Sequence, residues 1–201
     1  RKATAAGVPV RVMLARIDRE ARVGATGAWS ASGDDGAPLA RGGALERWRV
    51  ERSARRLRLV RDDGQATAWA DSPIIIRTAD ADAFPIWNEK RYRGELALSA
   101  SDSGVTVVNR LPLESYLRGV VALEMGDRPA TDMAALEAQA VAARSYAVAR
   151  LRATGERAWD LGVTVSDQVY GGVDAERALA NAAVAATEGE MLTYAGRVVS
   201  A

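Results

Sequence analysis

Residues 114–125 read ESYLRGVVALEM, and residues 131–153, which follow after a Gly-Asp-Arg-Pro turn, read TDMAALEAQAVAARSYAVARLRA. In the second stretch apolar residues recur every three or four positions, which places them on one face of an α-helix. They are Met133, Leu136, Ala140, Ala143, Ala147 and Leu151. The pattern predicts a long alanine-rich helix, capped by Thr131 or Asp132 and ended by Gly155, with a short helix before it.

Towards the C-terminus, the sequence predicts a second short helix and then a hairpin. The helix covers residues 175–187, with Asp174 as its cap. Residues 191–194 and 197–201 form the hairpin around an Ala-Gly turn. The second strand is unfinished at Ala201, so we expect native sequence to continue beyond it.

Towards the N-terminus, alternation of apolar and polar residues predicts β-strands. These strands cover residues 8–16, 47–51 and 55–60. A short continuous apolar run predicts a further strand over residues 73–78, and residues 95–99 and 105–109 are predicted to form a hairpin. Arginines alternate with the apolar residues of the second and third strands, and we interpret them as a solvated face rather than a basic patch because acidic residues lie close by. Residues 30–43 are rich in Gly, Ser, Asp and Pro, which predicts a loop.

These elements predict an α+β fold, with mixed β-strands, a long alanine-rich helix and two shorter helices. We place a boundary between a β-rich part, residues 1–90, and a second part, residues 91–201. Residues 30–82 are a candidate inserted β-rich subdomain, because their arginine-rich alternation differs from the alanine-rich second half.

Composition excludes several kinds of chemistry. The 201 residues contain no cysteine and no histidine, which excludes a thiolate nucleophile, a Cys/His zinc site and a Ser-His-Asp triad. The net charge is +1, from 27 basic and 26 acidic side chains, so we expect no nucleic-acid partner. No apolar run reaches the ~18 residues of a membrane helix, so we expect no membrane segment within this chain.

Glu124 is the first candidate for a functional residue, because it follows the apolar residues 120–123. If that run packs into the core, the carboxyl group lies at a dry edge, where loss of water favours its protonated form. A protonated carboxyl group can act as a general acid. The alternative is a surface glutamate on a short helix.

Polar residues in two otherwise small-residue segments are further candidates. Arg144 and Ser145 interrupt the long helix, and Gln139 lies five residues before Arg144. An arginine within an alanine face must reach solvent, face a cleft or pair with a carboxylate such as Glu124. Residues 167–172 place polar groups before two glycines, which either allow the close approach of a ligand or serve a tight turn.

Six segments match, in order, the motifs of one protein family. They are residues 92–96 (YRGEL), 108–121 (VNRLPLESYLRGVV), 122–125 (ALEM), 136–147 (LEAQAVAARSYA), 168–172 (QVYGG) and 187–194 (TEGEMLTY). Together they resemble the SpoIID/LytB family, named for stage II sporulation protein D and an amidase enhancer. The resemblance is strong over residues 92–201 and faint before them, apart from residues 8–15. Residues 91–201 would then be the catalytic core, truncated at its C-terminus.

The resemblance implies an extracytoplasmic enzyme of the bacterial cell envelope. Such a lytic transglycosylase cleaves the MurNAc–GlcNAc bond of peptide-stripped peptidoglycan strands and leaves 1,6-anhydroMurNAc ends. It uses one glutamate as acid and base, so no metal or cofactor is expected. The catalytic glutamate falls on Glu124. The substrate-binding positions fall on Arg144, Ser145, Gln168 and Tyr170, to which we add Gln139.

The same resemblance leaves an alternative function and shows two departures. The alternative is a non-catalytic peptidoglycan-binding module that stimulates a partner N-acetylmuramoyl-L-alanine amidase. Sporulation members often carry Cys and His before the fifth motif, some holding zinc with them, whereas Ser166 stands here where a histidine is usual. The family also continues past Ala201 with further cleft residues.

Overall fold

A computed structural model describes residues 7–17, 21–71, 73–101, 103–154, 157–164 and 166–199. By its internal contacts the chain forms two compact units. Unit 1 comprises Arg1–Val12 and Leu111–Ala201, and unit 2 comprises Met13–Arg110. The boundary that we placed after residue 90 marks where the resemblance to the SpoIID/LytB family begins rather than a compact unit, and it stays a prediction.

Among the described residues there are fifteen strands and three α-helices. The strands are β1 Pro9–Ile17, β2 Ala21–Ala25, β3 Trp29–Gly33, β4 Pro38–Gly42, β5 Arg47–Ser53, β6 Arg56–Val60, β7 Ala70–Asp71, β8 Ile74–Thr78, β9 Pro85–Trp87, β10 Lys90–Arg91, β11 Glu95–Ser101, β12 Gly104–Pro112, β13 Leu161–Gly162, β14 Thr193–Tyr194 and β15 Arg197–Val198. The helices are α1 Leu113–Met125, α2 Met133–Thr154 and α3 Ala178–Ala186, with 3₁₀ turns at Ala130–Asp132 and Gly172–Ala175. The α+β fold class is therefore confirmed.

The strands of unit 2 lie in two sheets. In one of them β1, β12, β11, β8, β3 and β4 are neighbours in that order, and in the other the order is β10-β9-β2-β5-β6-β7. The alternation predicted from the sequence is visible in β5, where buried Trp48 and Val50 alternate with the half-buried residues Arg47, Arg49 and Glu51. Trp48 meets Trp29 of the other sheet edge to face, with ring centroids 5.7 Å apart. Two facing apolar surfaces of this kind form the core of the unit.

The arginine face of unit 2 is balanced by carboxylates. Glu51 lies 2.8 Å from Arg49 and 2.7 Å from Arg58 across the β5–β6 pair. Arg61 pairs with Glu46 at 3.0 Å. These pairs agree with the interpretation of a solvated, charge-balanced face.

The prediction of a loop over residues 30–43 is wrong. Most of that stretch forms the antiparallel pair β3–β4. Its small residues serve packing: a side chain at Gly42 would come within 2.2 Å of the Trp29 ring. Composition suggested a loop, but Trp29 and Ala31 are buried and hold the stretch in the sheet.

In unit 1, the three helices pack against one another. Helices α1 and α2 occupy the predicted stretches, and α2 buries four of the six residues of its predicted apolar face: Leu136, Ala140, Ala143 and Ala147. The N-terminal part of β1 lies beside β13, where the side chain of Arg11 donates to Asp160 over 2.6 Å. The predicted stop at Gly155 lies outside the described residues.

The second short helix starts later than predicted. Residues 172–175 form a 3₁₀ turn, and α3 begins at Ala178 after two residues of extended backbone. Asp174 therefore lies in the turn, and Arg177 takes the cap position without a side-chain cap bond. The strands β14 and β15 form the predicted hairpin around Ala195 and Gly196, whose φ angles are 48° and 75°. The predicted residues 200 and 201 lie outside the described chain.

None of the helices in the described ranges combines the length and the apolar character needed to cross a membrane.

Candidate functional site

Glu124 lies on the last turn of α1, where the helix ends at Gly126 with a φ of 68°. Its side chain is exposed to solvent, and its Oε1 accepts the backbone N–H of Val169 over 3.1 Å. The dry surroundings expected from the sequence are absent. The preceding Val120 and Val121 are fully buried, but Leu123 is 45% exposed because the final turn of the helix extends past the core.

The Val169 amide belongs to a segment that we call the anchor loop, residues 167–171. Gln168, which is 6% exposed, accepts the Tyr116 hydroxyl over 3.2 Å and donates to the Ala143 carbonyl over 3.4 Å. Burial and, secondarily, the charge of Asp167 hold the pKa of the Tyr116 phenol far above its usual range. The Tyr116 hydroxyl therefore keeps its proton, and its ability to donate, further into the alkaline range than an ordinary phenol.

On the other side of Val169, the anchor loop lies directly on α1. The ring of Tyr170 packs on the ring of Tyr116, with centroids 5.1 Å apart. The Gly171 N–H donates to the Gly119 carbonyl over 3.1 Å. A side chain at Gly119 would come within 2.6 Å of the Tyr170 ring, so glycine is what allows this close approach.

Asp167 attaches the beginning of the anchor loop to α2. Its carboxylate accepts the Tyr146 hydroxyl over 3.1 Å and the Gly162 N–H over 2.8 Å, and it pairs with Arg150 at 2.9 Å. Partial burial and, secondarily, the charge of Asp167 raise the pKa of Tyr146. Asp167 therefore uses its oxygens to hold the loop.

Arg144 occupies a buried cluster near the start of α1. Its guanidinium donates two bonds of 2.7 Å to the two carboxylate oxygens of Glu114. The remaining acceptors are the Ala140, Val184 and Glu190 carbonyls and the Thr187 hydroxyl. Arg144 has no exposed surface. It therefore connects α1, α2, α3 and the segment that follows α3.

The partner suggested for Arg144 from the sequence, Glu124, is wrong. The two glutamates lie ten residues apart in α1, which corresponds to about 15 Å along the helix axis. Arg144 is held at the Glu114 end and cannot reach both.

Ser145 is also fully buried. Its hydroxyl donates to the Val141 carbonyl over 2.7 Å and accepts the Leu192 N–H over 2.8 Å. Gln139 lies on α2 and is half-buried.

The structure thus separates the predicted site residues into two groups. Glu124 is exposed and lies beside the anchor loop that carries Gln168 and Tyr170, whereas Arg144 and Ser145 are enclosed near the other end of α1. Gln168 and Tyr170 are also almost fully buried, so none of the four side chains offers much surface to a glycan strand. Direct glycan contact by Arg144, Ser145, Gln168 and Tyr170 stays a prediction.

Sequence reasoning missed two further contributors, the hydroxyl of Tyr116 and the backbone amide of Val169. The amide leaves no signal in a sequence. Tyr116 leaves an indirect one, because a glycine in a helix interior, here Gly119, often marks close packing against another segment.

Comparison with known proteins bears on residues in both groups. The family model described as Stage II sporulation protein, SpoIID, matches residues 101–194. An uncharacterized protein of Brachyspira hyodysenteriae is 36% identical over 128 residues, which is 63% of this chain. The chain spans 33% of that relative's length. No solved structure matches.

Proposed function

Because residues 101–194 belong to the SpoIID family, whose members are cell-envelope proteins, we propose that this chain is a peptidoglycan lytic transglycosylase with Glu124 as its acid and base. The observation that carries the proposal is the state of that one carboxylate. It is open to solvent, so a glycan strand can reach it, and a single backbone N–H holds it.

Two other carboxylates of unit 1, those of Asp167 and Glu114, are less suited to this role. Asp167 is bound by three donors, and Glu114 is 13% exposed and paired with Arg144 through both oxygens. A carboxylate that is fully engaged in the framework cannot exchange a proton with substrate without breaking that framework.

The proposed reaction needs only one such group. Protonated Glu124 gives its proton to the glycosidic oxygen as the bond from that oxygen to the MurNAc C1 breaks. The C6 hydroxyl of the same sugar then bonds to C1, and the Glu124 carboxylate takes the hydroxyl proton. The product carries a 1,6-anhydro ring, no water is consumed, and Glu124 is again protonated. An ordinary glycosidase needs two carboxyl groups.

We further propose an extracytoplasmic location and glycan strands already stripped of stem peptides as the substrate. A peptidoglycan amidase, which removes stem peptides, is then the partner whose product this chain consumes. Under the alternative function the chain would bind strands and stimulate that amidase without cleaving them.

Product identity tests the proposal. Wild-type protein is incubated with amidase-treated glycan strands, and the new ends are analysed by mass spectrometry. We expect 1,6-anhydroMurNAc ends. Ends heavier by one water would indicate a hydrolase, and strand binding without cleavage would favour the amidase-enhancer alternative.

A further inference from the structure

We propose that the backbone N–H of Val169 is a positioning group that fixes the orientation of the Glu124 carboxylate. As a statement about catalysis the inference rests on the proposed function. As a statement about geometry it rests on the 3.1 Å bond from the Val169 nitrogen to Glu124 Oε1.

A glutamate on the last turn of a helix is otherwise free to rotate. Glu124 is exposed and leaves little of its side chain in the core, so burial does not select one rotamer. The bond from the Val169 N–H to Oε1 has an ordinary hydrogen-bond length, and it restrains that rotation. With Oε1 bound to the amide, Oε2 is the oxygen that carries the proton to the substrate.

The restraint is effective only if the amide itself is fixed, and the anchor loop fixes it from both sides. The residue before Val169 is Gln168, which is bound to Tyr116 and to the Ala143 carbonyl. The residues after it are attached to α1 through the ring of Tyr170 and the Gly171 N–H. The N–H of Val169 is therefore held on the same helix that carries Glu124.

This arrangement gives the buried residues of the loop a role at a distance. Gln168 and Tyr170 act on the reaction through the amide between them, because their side chains are buried at 6% exposure each. Glycine at position 119 permits the loop to lie close enough to α1 for the bond to form. Gln168, Tyr170 and Gly119 are thus positioning residues in this account.

Two substitutions at one position separate the amide from the side chain. Val169→Ala shortens the side chain and keeps the N–H, whereas Val169→Pro removes the N–H donor. If the proline variant does not fold, replacing the 168–169 peptide bond by an ester, through an α-hydroxy acid at position 169, removes the donor without the proline ring.

The kinetic test measures kcat, KM and the affinity for glycan strands with the complete chain. We expect Val169→Pro, or the ester, to lower kcat about 10- to 100-fold, because misplacing a catalytic group by about 1 Å has effects of this size. KM and strand affinity should not change, because the amide does not touch substrate. Val169→Ala should stay within about twofold of wild type. Equal kcat values for the proline and alanine variants would overturn the proposal.

A second measurement does not depend on activity. In ¹⁵N-labelled protein, the Val169 amide resonance should shift as Glu124 ionises, and the shift should vanish in Glu124→Gln. A Val169 amide resonance whose shift with pH is the same in wild type and Glu124→Gln would overturn the proposal, even if the enzyme is active. If the wild type cleaves no strands, the proposed function fails, and the titration of the amide resonance alone decides whether Val169 orients the carboxylate.

Discussion

The two glutamates of helix α1 differ sharply in their surroundings. Glu114, in the first turn, has 13% of its side chain exposed and is bound through both oxygens to Arg144. Glu124, in the last turn, is exposed to solvent and accepts a backbone N–H through one oxygen. One helix therefore carries a carboxylate that is committed to the framework and another that remains accessible.

The difference shows how a small alanine-rich bundle can enclose one carboxylate and leave another accessible. Helices rich in alanine bury little apolar area per residue, so the Glu114 end depends on a dense set of polar contacts to join three helices. At the other end, the Glu124 carboxylate accepts one backbone N–H and stays accessible to solvent. Substitutions along α1 and its contacts test this division, and we order them by the expected loss in free energy of unfolding.

The largest loss is expected for Arg144→Met. The substitution leaves the Glu114 carboxylate, of which 13% is exposed, without its fully buried partner, and breaking a buried pair costs about 3–5 kcal/mol. Urea unfolding measures the loss. The matched control is Arg152→Met, an exposed arginine on the same helix, which should change stability by less than about 0.5 kcal/mol. Equal values for the two variants would contradict a framework role for Arg144.

A smaller loss is expected for Gly119→Ala. Alanine normally stabilises a helix interior by about 1 kcal/mol relative to glycine. Here the new methyl group would lie 2.6 Å from the Tyr170 ring and 3.0 Å from the Gly172 carbonyl, and such overpacking costs about 1–3 kcal/mol. We expect a net loss in thermal unfolding. A net gain would show that the anchor loop does not press on α1.

Tyr116→Phe, between the two ends of the helix, should cost about 1 kcal/mol at neutral pH through the lost bond to Gln168. The difference should shrink in alkali. Above the ordinary tyrosine pKa of 10.0, the unfolded wild type loses the phenol proton while the folded protein keeps it. Wild-type stability then falls by about 1.4 kcal/mol per pH unit from this group, and the phenylalanine variant lacks that contribution. Parallel pH profiles of stability would contradict the buried placement of Tyr116.

The smallest change in stability is expected for Glu124→Gln. The side chain is exposed, and the amide oxygen of glutamine can still accept the Val169 N–H, so the loss should be under about 0.5 kcal/mol. Urea unfolding beside Glu114→Gln provides the comparison. A loss as large as that of Glu114→Gln would remove the distinction between the two ends.

Much of the fold could be predicted from the sequence, because its signals are local. The period of two in β5 and the spacing of three and four in α2 each report which face of an element is buried. The errors arose where packing overrides composition. Residues 30–43 look like a loop, but Trp29 and Ala31 hold them in a sheet.

For the candidate site, the sequence supplied the names of the residues but not their surroundings. Family motifs located Glu124, Arg144 and Gln168, yet a motif does not say whether a side chain faces a cleft or the interior. Which of the two glutamates pairs with Arg144 depends on which end of α1 packs beside that arginine, and this appears only when the helices are assembled. The Val169 amide is a backbone group, so no residue identity encodes it.

The most direct test of the account is the rate at which Glu124→Gln forms 1,6-anhydroMurNAc ends from peptide-free strands, under conditions where it is as folded as the wild type. Removing a general acid should lower that rate about 100- to 10,000-fold. Glu188→Gln, an exposed glutamate beyond α3, should retain the wild-type rate. A Glu124→Gln variant that cleaves strands as fast as the Glu188→Gln control would contradict the central claim that Glu124 is the catalytic acid.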